Sequence, residues 1–356
     1  MKQRNNQHCM QDLVMRNPPY QESDGGAQSS AKPVYNLFVE AAMNLKPKVI
    51  EMIIPTRWYS GGKGLDEFRK KMLSEKHLQY LYDCLDPNEI FPNTNIRGGV
   101  CYFQLNSDFD NQIKLPKVVT RFPGGNEETN FRPIKIDDID VFIRHNSALK
   151  ILNKVKKTTS EYINDYVSSL RPFGFRGYFK DSPDFHSSEK GLIKPIKCVV
   201  KGRKIGFVED SLIKNNRQMI SNWKVFIPRA NNIGTELSDD NLNSFVGEPN
   251  MICTESFLVI GGNAGLSEQE ANNLSKYLKT RFARFMHSIS KSSQDATSKT
   301  WKFVPIQNFS PVSDIDWSKS ITEIDQQLYK KYDLTSEEIS FIETNIKEMG
   351  QDDSKN

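Results

Sequence analysis

The sequence has few of the features that mark secreted or metal-binding proteins. Its five cysteines are odd in number, widely scattered and free of any C-x-x-C pair: Cys9, Cys84, Cys101, Cys198 and Cys253. This pattern argues against a disulfide framework and against a zinc site, and it predicts free thiols in a reducing compartment. We therefore expect a cytoplasmic protein and predict no metal ligand.

Long apolar segments are also absent. No stretch approaches the roughly 20 apolar residues that span a bilayer, and the first fifteen residues lack the apolar core of a signal peptide. We therefore expect no membrane partner. With 356 residues, of which 37% are hydrophobic and 26% charged, the chain has the composition and length of a globular protein with two domains.

Charge is unevenly distributed along the chain. The formal net charge is only +4, but the segment 144–229 contains 18 Lys/Arg and 7 Asp/Glu, an excess of 18 − 7 = +11. In a segment that also contains many Phe, Tyr and Gly residues, this excess is typical of a polyanion-binding module. A solvated basic surface is the alternative.

The first third alternates short apolar runs with amphipathic helices. The pattern predicts strands at 13–15, 49–54, 78–84 and 99–105, and helices at 33–45 and 65–73. The nearly continuous apolar run VIEMII (49–54) is typical of a strand covered on both faces. Strands alternating with helices at this spacing indicate an α/β fold with part of a doubly wound sheet.

The pattern changes after residue 106, where polar loops and prolines interrupt the periodicity. We place a boundary within 107–145 and predict two domains, 1–110 and 111–350. Within the second, Ser267 and Glu270 form a capping-box signature, after which apolar residues continue at helical spacing to Ile289. The last predicted helix spans 336–349.

The four residues Asn17-Pro18-Pro19-Tyr20 follow the first predicted strand, where open α/β sheets bind ligands. An enzyme that modifies a base in DNA must hold that base outside the stack. The Asn17 side-chain oxygen and the Pro18 carbonyl could accept both hydrogens of an adenine amine. Two prolines fix φ and remove competing N–H donors, and Tyr20 offers a stacking surface worth about 1–3 kcal/mol. The alternative is a turn that merely ends a strand.

Three segments give these residues a context: DLVMRNPPYQ, AKPVYNLFVEAAMNLKPKVIEMIIPTRWYSGGKGLDEFRKKML and EIFPNTNIRGGVCYF. They resemble the adenine-specific DNA methyltransferases of restriction-modification systems, in particular the gamma-type branch. The resemblance is strong over the first 105 residues and looser through VSSLRPFGFRGYF, TESFLVIGG and QQLYKKYDLTSEEISFIETNI. It implies an incomplete Rossmann-like methyltransferase sheet followed by an α+β target-recognition domain.

The resemblance also implies an activity and a set of site residues. The expected reaction is methyl transfer from S-adenosylmethionine to the exocyclic amine of adenine in double-stranded DNA. The loop Asn17, Pro18, Pro19 and Tyr20 would hold the flipped adenine. A second aromatic residue commonly closes the other side of the base, and Phe91 is the candidate, with a role as an ordinary core phenylalanine as the alternative.

The region after the catalytic sheet would recognise the target sequence. Candidate DNA-binding residues are Arg171, Phe173 and Arg176, since arginines contact phosphates or guanine edges and aromatic rings pack or stack. The KGRK segment adds backbone-phosphate contacts through Lys201, Arg203 and Lys204. A hairpin with solvated arginines is the alternative.

The family's cofactor motif, a glycine-rich turn with a later acidic residue, lies several tens of residues before the Asn-Pro-Pro-Tyr loop. Here sixteen residues precede Asn17, and they contain no glycine. We therefore expect an N-terminally truncated form that lacks the cofactor half, which a partner chain could supply. The alternatives are a non-catalytic DNA-binding specificity module and an inactive remnant. A nuclease fits poorly, because Pro183-Asp184 and Glu189-Lys190 lack the required spacing.

Overall fold

The structure, a computed structural model, describes residues 12–22, 32–60, 64–93, 96, 98–136, 139–231, 233, 242–291 and 295–349. The chain forms two compact units that divide between His145 and Asn146. Within the described ranges, no helix is both long and apolar enough to cross a bilayer.

The first unit is built on a sheet of six strands: β1 (Leu13–Arg16), β2 (Val49–Pro55), β3 (Leu78–Cys84), β4 (Val100–Asn106), β5 (Lys117–Arg121) and β6 (Glu127–Phe131). Their order is β1-β2-β4-β3-β5-β6. β1 is parallel to β2 and β3 is parallel to β5, whereas β4 runs antiparallel to both of its neighbours. The α/β class predicted from the sequence is confirmed, with a mixed rather than a purely parallel sheet.

Two helices of this unit, α1 (Tyr35–Leu45) and α2 (Asp66–Leu73), pack on one face of the sheet. β2 shows the consequence, because its buried residues Ile50, Met52 and Ile54 alternate with partly exposed ones. The expectation that this strand is covered on both faces is therefore wrong for the part of the chain that the structure describes. A nearly continuous apolar run of six residues shows that the strand is hydrophobic. It does not show that both faces are covered, because a hydrophobic strand can have one half-exposed face.

The sheet continues past residue 110, because β5 and β6 extend it to Phe131, and the two compact units divide at the end of the interval 107–145 in which the sequence places the boundary. These strands are only five residues long. Pro116 immediately precedes β5, and Pro123 lies in the turn between the two strands. The prolines thus punctuate short strands of one sheet, a pattern that resembles a domain linker in sequence.

Over its described residues, the second unit combines helices with two three-stranded sheets, as expected for an α+β module. Its strands are β7 (Pro195–Val200), β8 (Lys204–Glu209), β9 (Lys224–Pro228), β10 (Phe245–Gly247), β11 (Met251–Cys253) and β12 (Phe257–Ile260). The sheet orders are β10-β9-β12 and β11-β7-β8. Its helices are α3 (Asn146–Thr158), α4 (Glu268–Lys279), α5 (Arg281–Ser288), α6 (Ile321–Lys331) and α7 (Ser336–Asn345).

The capping box at the start of α4 is confirmed, because the Ser267 hydroxyl accepts from the Glu270 backbone and Glu270 accepts from the Ser267 backbone. The apolar periodicity that follows belongs to two helices. Thr280 leaves the helical region and accepts a hydrogen bond from the Ala283 N–H, so that α5 begins anew. The buried Asp325 carboxylate accepts the N–H groups of Arg281 and Phe282. Polar capping hydrogen bonds therefore determine where α4 ends. The spacing of the apolar residues gives no indication of them.

The cysteines of the described residues behave as the sequence predicts. Cys84, Cys101, Cys198 and Cys253 are buried and free. Burial raises the pKa of the Cys101 and Cys198 thiols to about 12, so both are neutral at physiological pH. Cys9 lies outside the described residues.

The carboxyl ends of four strands meet at one edge of the first sheet. β1, β2, β3 and β5 all end there, and the antiparallel β4 begins between β2 and β3, with Val100 paired to both Pro55 and Cys84. The loops that follow β1 and β3 therefore leave the sheet from the same edge. This edge is where open α/β sheets place their ligands, and we call it the carboxyl edge.

A buried ion pair fixes the geometry of the carboxyl edge. Arg144 donates from Nε and Nη2 to the two carboxylate oxygens of Asp83, at 2.7 and 2.6 Å, and its Nη1 donates to the Gly98 carbonyl at 2.8 Å. The Asp83 side chain is fully buried. Thr56 also donates to Gly98 and Gly99, so the loop between β3 and β4 is held at its end.

We predict that Arg144→Ala lowers the free energy of unfolding by about 3–5 kcal/mol, because it leaves the Asp83 carboxylate buried without a partner. Urea denaturation followed by circular dichroism measures the change. The control is Lys70→Ala, which breaks the exposed pair with Glu67 and is expected to leave the midpoint unchanged. Equal midpoints for the two variants would contradict the prediction.

Candidate base-binding site

The Asn17-Pro18-Pro19-Tyr20 loop leaves β1 at the carboxyl edge. Asn17 and Pro19 are exposed, Pro18 is buried and Tyr20 is half-buried. The Asn17 side chain makes no hydrogen bond to the part of the chain that the structure describes. Its amide oxygen is therefore available to a ligand, whereas the buried Pro18 anchors the loop.

Backbone hydrogen bonds hold the far end of this loop. The Tyr20 carbonyl accepts from Val34 N–H at 3.2 Å, and Glu22 N–H donates to the Lys32 carbonyl at 3.0 Å. Gln21 and Pro33 form a bridge between these two bonds. The loop is thus tied to the segment that leads into α1, which sets the direction in which Tyr20 points.

The Tyr20 ring packs against the apolar core of the first unit. Its hydroxyl is buried and makes no hydrogen bond among the described residues. Burial, together with the nearby Cys101 thiol, raises the pKa of Tyr20 to about 12. The phenol therefore stays protonated at physiological pH, and the ring offers a neutral aromatic surface rather than an acid or a base.

Phe91 lies opposite Tyr20. Their ring centroids are 6.4 Å apart and the ring planes meet at 69°, an edge-to-face contact. Phe91 is half-buried, unlike the fully buried phenylalanines of the core such as Phe103. The structure thus brings together the two aromatic residues that the sequence predicts to flank a base, although they are separated by seventy residues of chain.

The turn that carries Phe91 begins directly after β3. Asp86 caps a short 3₁₀ turn, Pro87–Glu89, by accepting from Asn88 N–H at 2.9 Å. Phe91 N–H then donates to the Pro87 carbonyl at 2.8 Å. Two hydrogen-bonded turns thus fold this segment back on itself and present the Phe91 ring at the carboxyl edge.

In the second unit, the RPFGFRGYF segment (171–179) is anchored by its aromatic residues. Phe173 and Phe175 are 1% and 8% exposed and belong to the core. Phe173 therefore has a packing position, and its ring has no surface on which a DNA base could stack. Arg176 is exposed, so within this segment the arginine rather than the phenylalanine is accessible to a ligand.

Arg171 is exposed but already paired. Its Nε donates to Glu255 Oε2 at 3.0 Å, and the other Glu255 oxygen accepts from Gly177 N–H at 3.0 Å. One carboxylate thus braces both ends of the segment that carries Arg176.

The KGRK segment (201–204) forms the turn between β7 and β8. Lys201 and Lys204 are exposed. Arg203 instead lies over the Phe245 ring, with its guanidinium carbon 4.8 Å from the ring centroid, and donates to the Asn243 carbonyl at 2.6 Å. Of the three predicted phosphate ligands, the two lysines remain available and the arginine is engaged in packing.

The first unit thus has a mixed α/β sheet, and the Asn17–Tyr20 loop leaves it at the carboxyl edge. Residues 7–91 match the family "Eco57I restriction-modification methylase". A protein of Mycoplasma pneumoniae described as an uncharacterized adenine-specific methylase is 32% identical over 107 residues, which cover 29% of this chain and 25% of that protein. This part of the chain is thus similar to adenine-specific methylases and to restriction-modification methylases.

Solved structures of restriction-modification enzymes match this chain at low sequence identity. The type IIL restriction-modification enzyme MmeI, solved in complex with DNA, matches with a TM-score of 0.50 and 9% identity, over 93% of this chain and 56% of that one. The type IIG restriction endonuclease BpuSI matches with a TM-score of 0.36 and 13% identity, over 94% and 53%. The chain thus spans about half the length of these structures and a quarter of the curated relative.

Gly98 and Gly99, just before β4, do not form a cradle for a methyl donor such as S-adenosylmethionine. At the carboxyl edge, the Gly98 carbonyl is occupied by Arg144 and Thr56. A Cβ at Gly99 would lie 2.3 Å from the Cys84 carbonyl oxygen, so this glycine packs against protein atoms.

We predict that the purified chain binds S-adenosylmethionine weakly or not at all, because the Gly98 carbonyl is already hydrogen-bonded and Gly99 packs against protein atoms. Isothermal titration calorimetry measures the affinity, with a complete adenine methyltransferase as the positive control. A micromolar dissociation constant for this chain would contradict the expectation.

Proposed function

We propose that this chain carries the base-holding and target-recognition portion of a site-specific DNA adenine-N6 methyltransferase of a restriction-modification system. The observation that carries the proposal is the pairing of Tyr20 with Phe91 at the carboxyl edge, beside the exposed Asn17 amide. The similarity to a protein described as an uncharacterized adenine-specific methylase supports adenine as the base.

The chemistry proposed for Asn17 is hydrogen-bond acceptance. The exocyclic amine of adenine is a poor nucleophile, because its lone pair is delocalised into the ring. The Asn17 side-chain oxygen and the Pro18 carbonyl would accept one amine hydrogen each and draw the nitrogen towards a tetrahedral, more nucleophilic form. Pro18 and Pro19 have no N–H to compete for these acceptors.

The chemistry proposed for Tyr20 and Phe91 is stacking on both faces of the flipped base. A base sandwiched between two parallel rings needs about 7 Å between them, twice the van der Waals contact distance. The present separation of 6.4 Å is close to this distance, but the 69° angle is not parallel. On base entry we expect one ring to turn, with little displacement of the loops.

S-adenosylmethionine would supply the methyl group when bound. The residues that hold it would come from outside the described ranges, and a partner chain is the source that we propose. Because the described cysteines are buried and free, the cytoplasm is the compartment that we propose.

The second unit would bind double-stranded DNA through its exposed basic residues. Lys201 and Lys204 lie at the tip of one hairpin, where they can reach phosphates of any sequence. Arg176, which the Glu255 brace presents to solvent, is the proposed contact to a base edge or a phosphate. Phe173 and Arg203 would support the interface from within the fold.

A non-catalytic DNA-binding module, or an inactive remnant of a methyltransferase, is the second candidate. The exposed lysine turn in the second unit favours DNA binding by itself. The two candidates differ at Asn17, because a specificity module has no use for an acceptor aimed at the adenine amine.

We predict that Asn17→Ala weakens the discrimination between adenine and purine, which lacks the amine, while the Pro18 carbonyl remains as the second acceptor. Single-stranded oligonucleotides avoid the cost of base flipping, and their binding is followed by fluorescence anisotropy. The preference of the wild-type chain for the adenine oligonucleotide is expected to exceed that of Asn17→Ala about two- to tenfold, as one hydrogen bond allows.

The matched control for this experiment is Asn44→Ala, on the exposed side of α1, which is expected to keep the preference. Equal binding of adenine and purine by the wild-type chain would reject the base pocket and favour the specificity module.

We predict that Lys201→Ala combined with Lys204→Ala weakens duplex binding regardless of sequence. Removing a lysine that neutralises a phosphate is expected to reduce the slope of log K against log salt by about 0.9. Arg203→Ala is the contrasting variant. Because Arg203 packs on Phe245, its replacement should lower thermal stability and leave the slope unchanged, and a reduced slope would assign it a phosphate contact instead.

A further inference from the structure

Phe91 lies on a turn that is attached to a separate hairpin by one side chain. Glu89, two residues earlier, reaches the β5–β6 hairpin with both carboxylate oxygens. Oε2 accepts from Arg121 Nε at 2.5 Å, and Oε1 accepts from Gly124 N–H at 2.9 Å. Bidentate attachment restrains both the position and the rotation of the Glu89 side chain.

The hairpin end of this attachment is itself braced. Arg121 Nη1 lies 3.3 Å from Glu127 Oε1, and that oxygen also accepts from the Tyr82 hydroxyl at 2.6 Å. These contacts link β3, β5 and β6. The arginine is therefore held by a carboxylate on each side.

Charge supports the same arrangement. Arg121, by its hydrogen bond, holds the pKa of Glu89 below its ordinary value, with the Gly124 N–H as the second cause. The pKa of Arg121 is raised, first by Glu89. The pair is thus ionised at physiological pH. The backbone also contributes, because Leu85 N–H donates to the Arg121 carbonyl at 3.0 Å at the base of the loop.

We propose that Glu89 is a positioning residue for base binding, because its hydrogen bonds to Arg121 and Gly124 fix the position of Phe91 opposite Tyr20. This inference rests on the proposed function, in which Phe91 closes the pocket over the base. Glu89 touches neither the base nor Tyr20 and acts through Phe91 alone. Its removal frees the 87–91 turn from the hairpin and lets the Phe91 ring leave its stacking position.

A double-mutant cycle tests the proposal on the full chain. Binding of an adenine-containing single-stranded oligonucleotide is measured for wild type, Glu89→Ala, Phe91→Ala and the double variant. Phe91→Ala is expected to weaken binding about 5- to 100-fold, as removal of one stacking partner does. Glu89→Ala is expected to weaken it about three- to tenfold, and the double variant should bind no more weakly than Phe91→Ala.

The matched control is Glu67→Ala, which breaks an exposed ion pair with Lys70 on α2 and should bind as the wild type does. Glu89→Gln keeps an acceptor for Gly124 and should lie between wild type and Glu89→Ala, which covers the case in which the alanine variant folds poorly. Hydrogen exchange of peptide 85–93 should be faster in both Glu89 variants, because the Phe91 N–H bond to Pro87 opens more often.

The outcomes separate the two claims. If Phe91→Ala weakens adenine binding and neither Glu89 variant does, the positioning role is overturned and the base pocket stands. Additive effects in the double variant would overturn it as well, since Glu89 would then act by another route. If Phe91→Ala binds adenine as the wild type does, both the pocket and the positioning role are overturned.

Discussion

The bidentate ion pair between Asp83 and Arg144 is the constraint on which the carboxyl edge depends. Asp83 lies next to the end of β3, and Arg144 joins it to the carbonyl of Gly98, just before β4 begins. Because β4 runs antiparallel between β2 and β3, the start of β4 lies beside the ends of both strands. A carboxylate with no exposed surface requires such a partner. The loop between β3 and β4, which carries Phe91, is thereby held at its far end.

The candidate site is built from groups that do not change charge at physiological pH. Tyr20 and Cys101 have pKa values raised to about 12 by burial, and Asn17 and the two prolines are neutral. Such a surface can stack on a base and accept hydrogen bonds from it, and it offers no general base. This suits a reaction in which the amine loses its proton only after it has been methylated. The ionised groups, Glu89 and Arg121, stand one step behind Phe91 and act on its position.

Electrostatic roles in the second unit are divided in a similar way. Arg203 packs on Phe245 and donates to the Asn243 carbonyl. Arg171 forms an ion pair with Glu255. Lys201, Lys204 and Arg176 face solvent. The basic side chains of this segment thus fall into two groups. Those of the first group stabilise turns within the fold, and those of the second are accessible to phosphates. Only the second is expected to contribute to the salt dependence of DNA binding.

The sequence by itself determined the α/β class, the alternation of strands and helices in the first third, the capping box of α4 and the free cysteines. These features depend on local periodicity, caps and spacing. It also determined the chemical types in the Asn17-to-Tyr20 loop and named Phe91 as its companion. The tertiary structure alone decided that β5 and β6 extend the sheet, that β2 is half-exposed and that Thr280 divides the late helix. It likewise buried Phe173, gave Arg203 partners within the fold and revealed the Glu89–Arg121 attachment. Exposure and partner choice depend on residues far apart in the chain, and no local pattern records them.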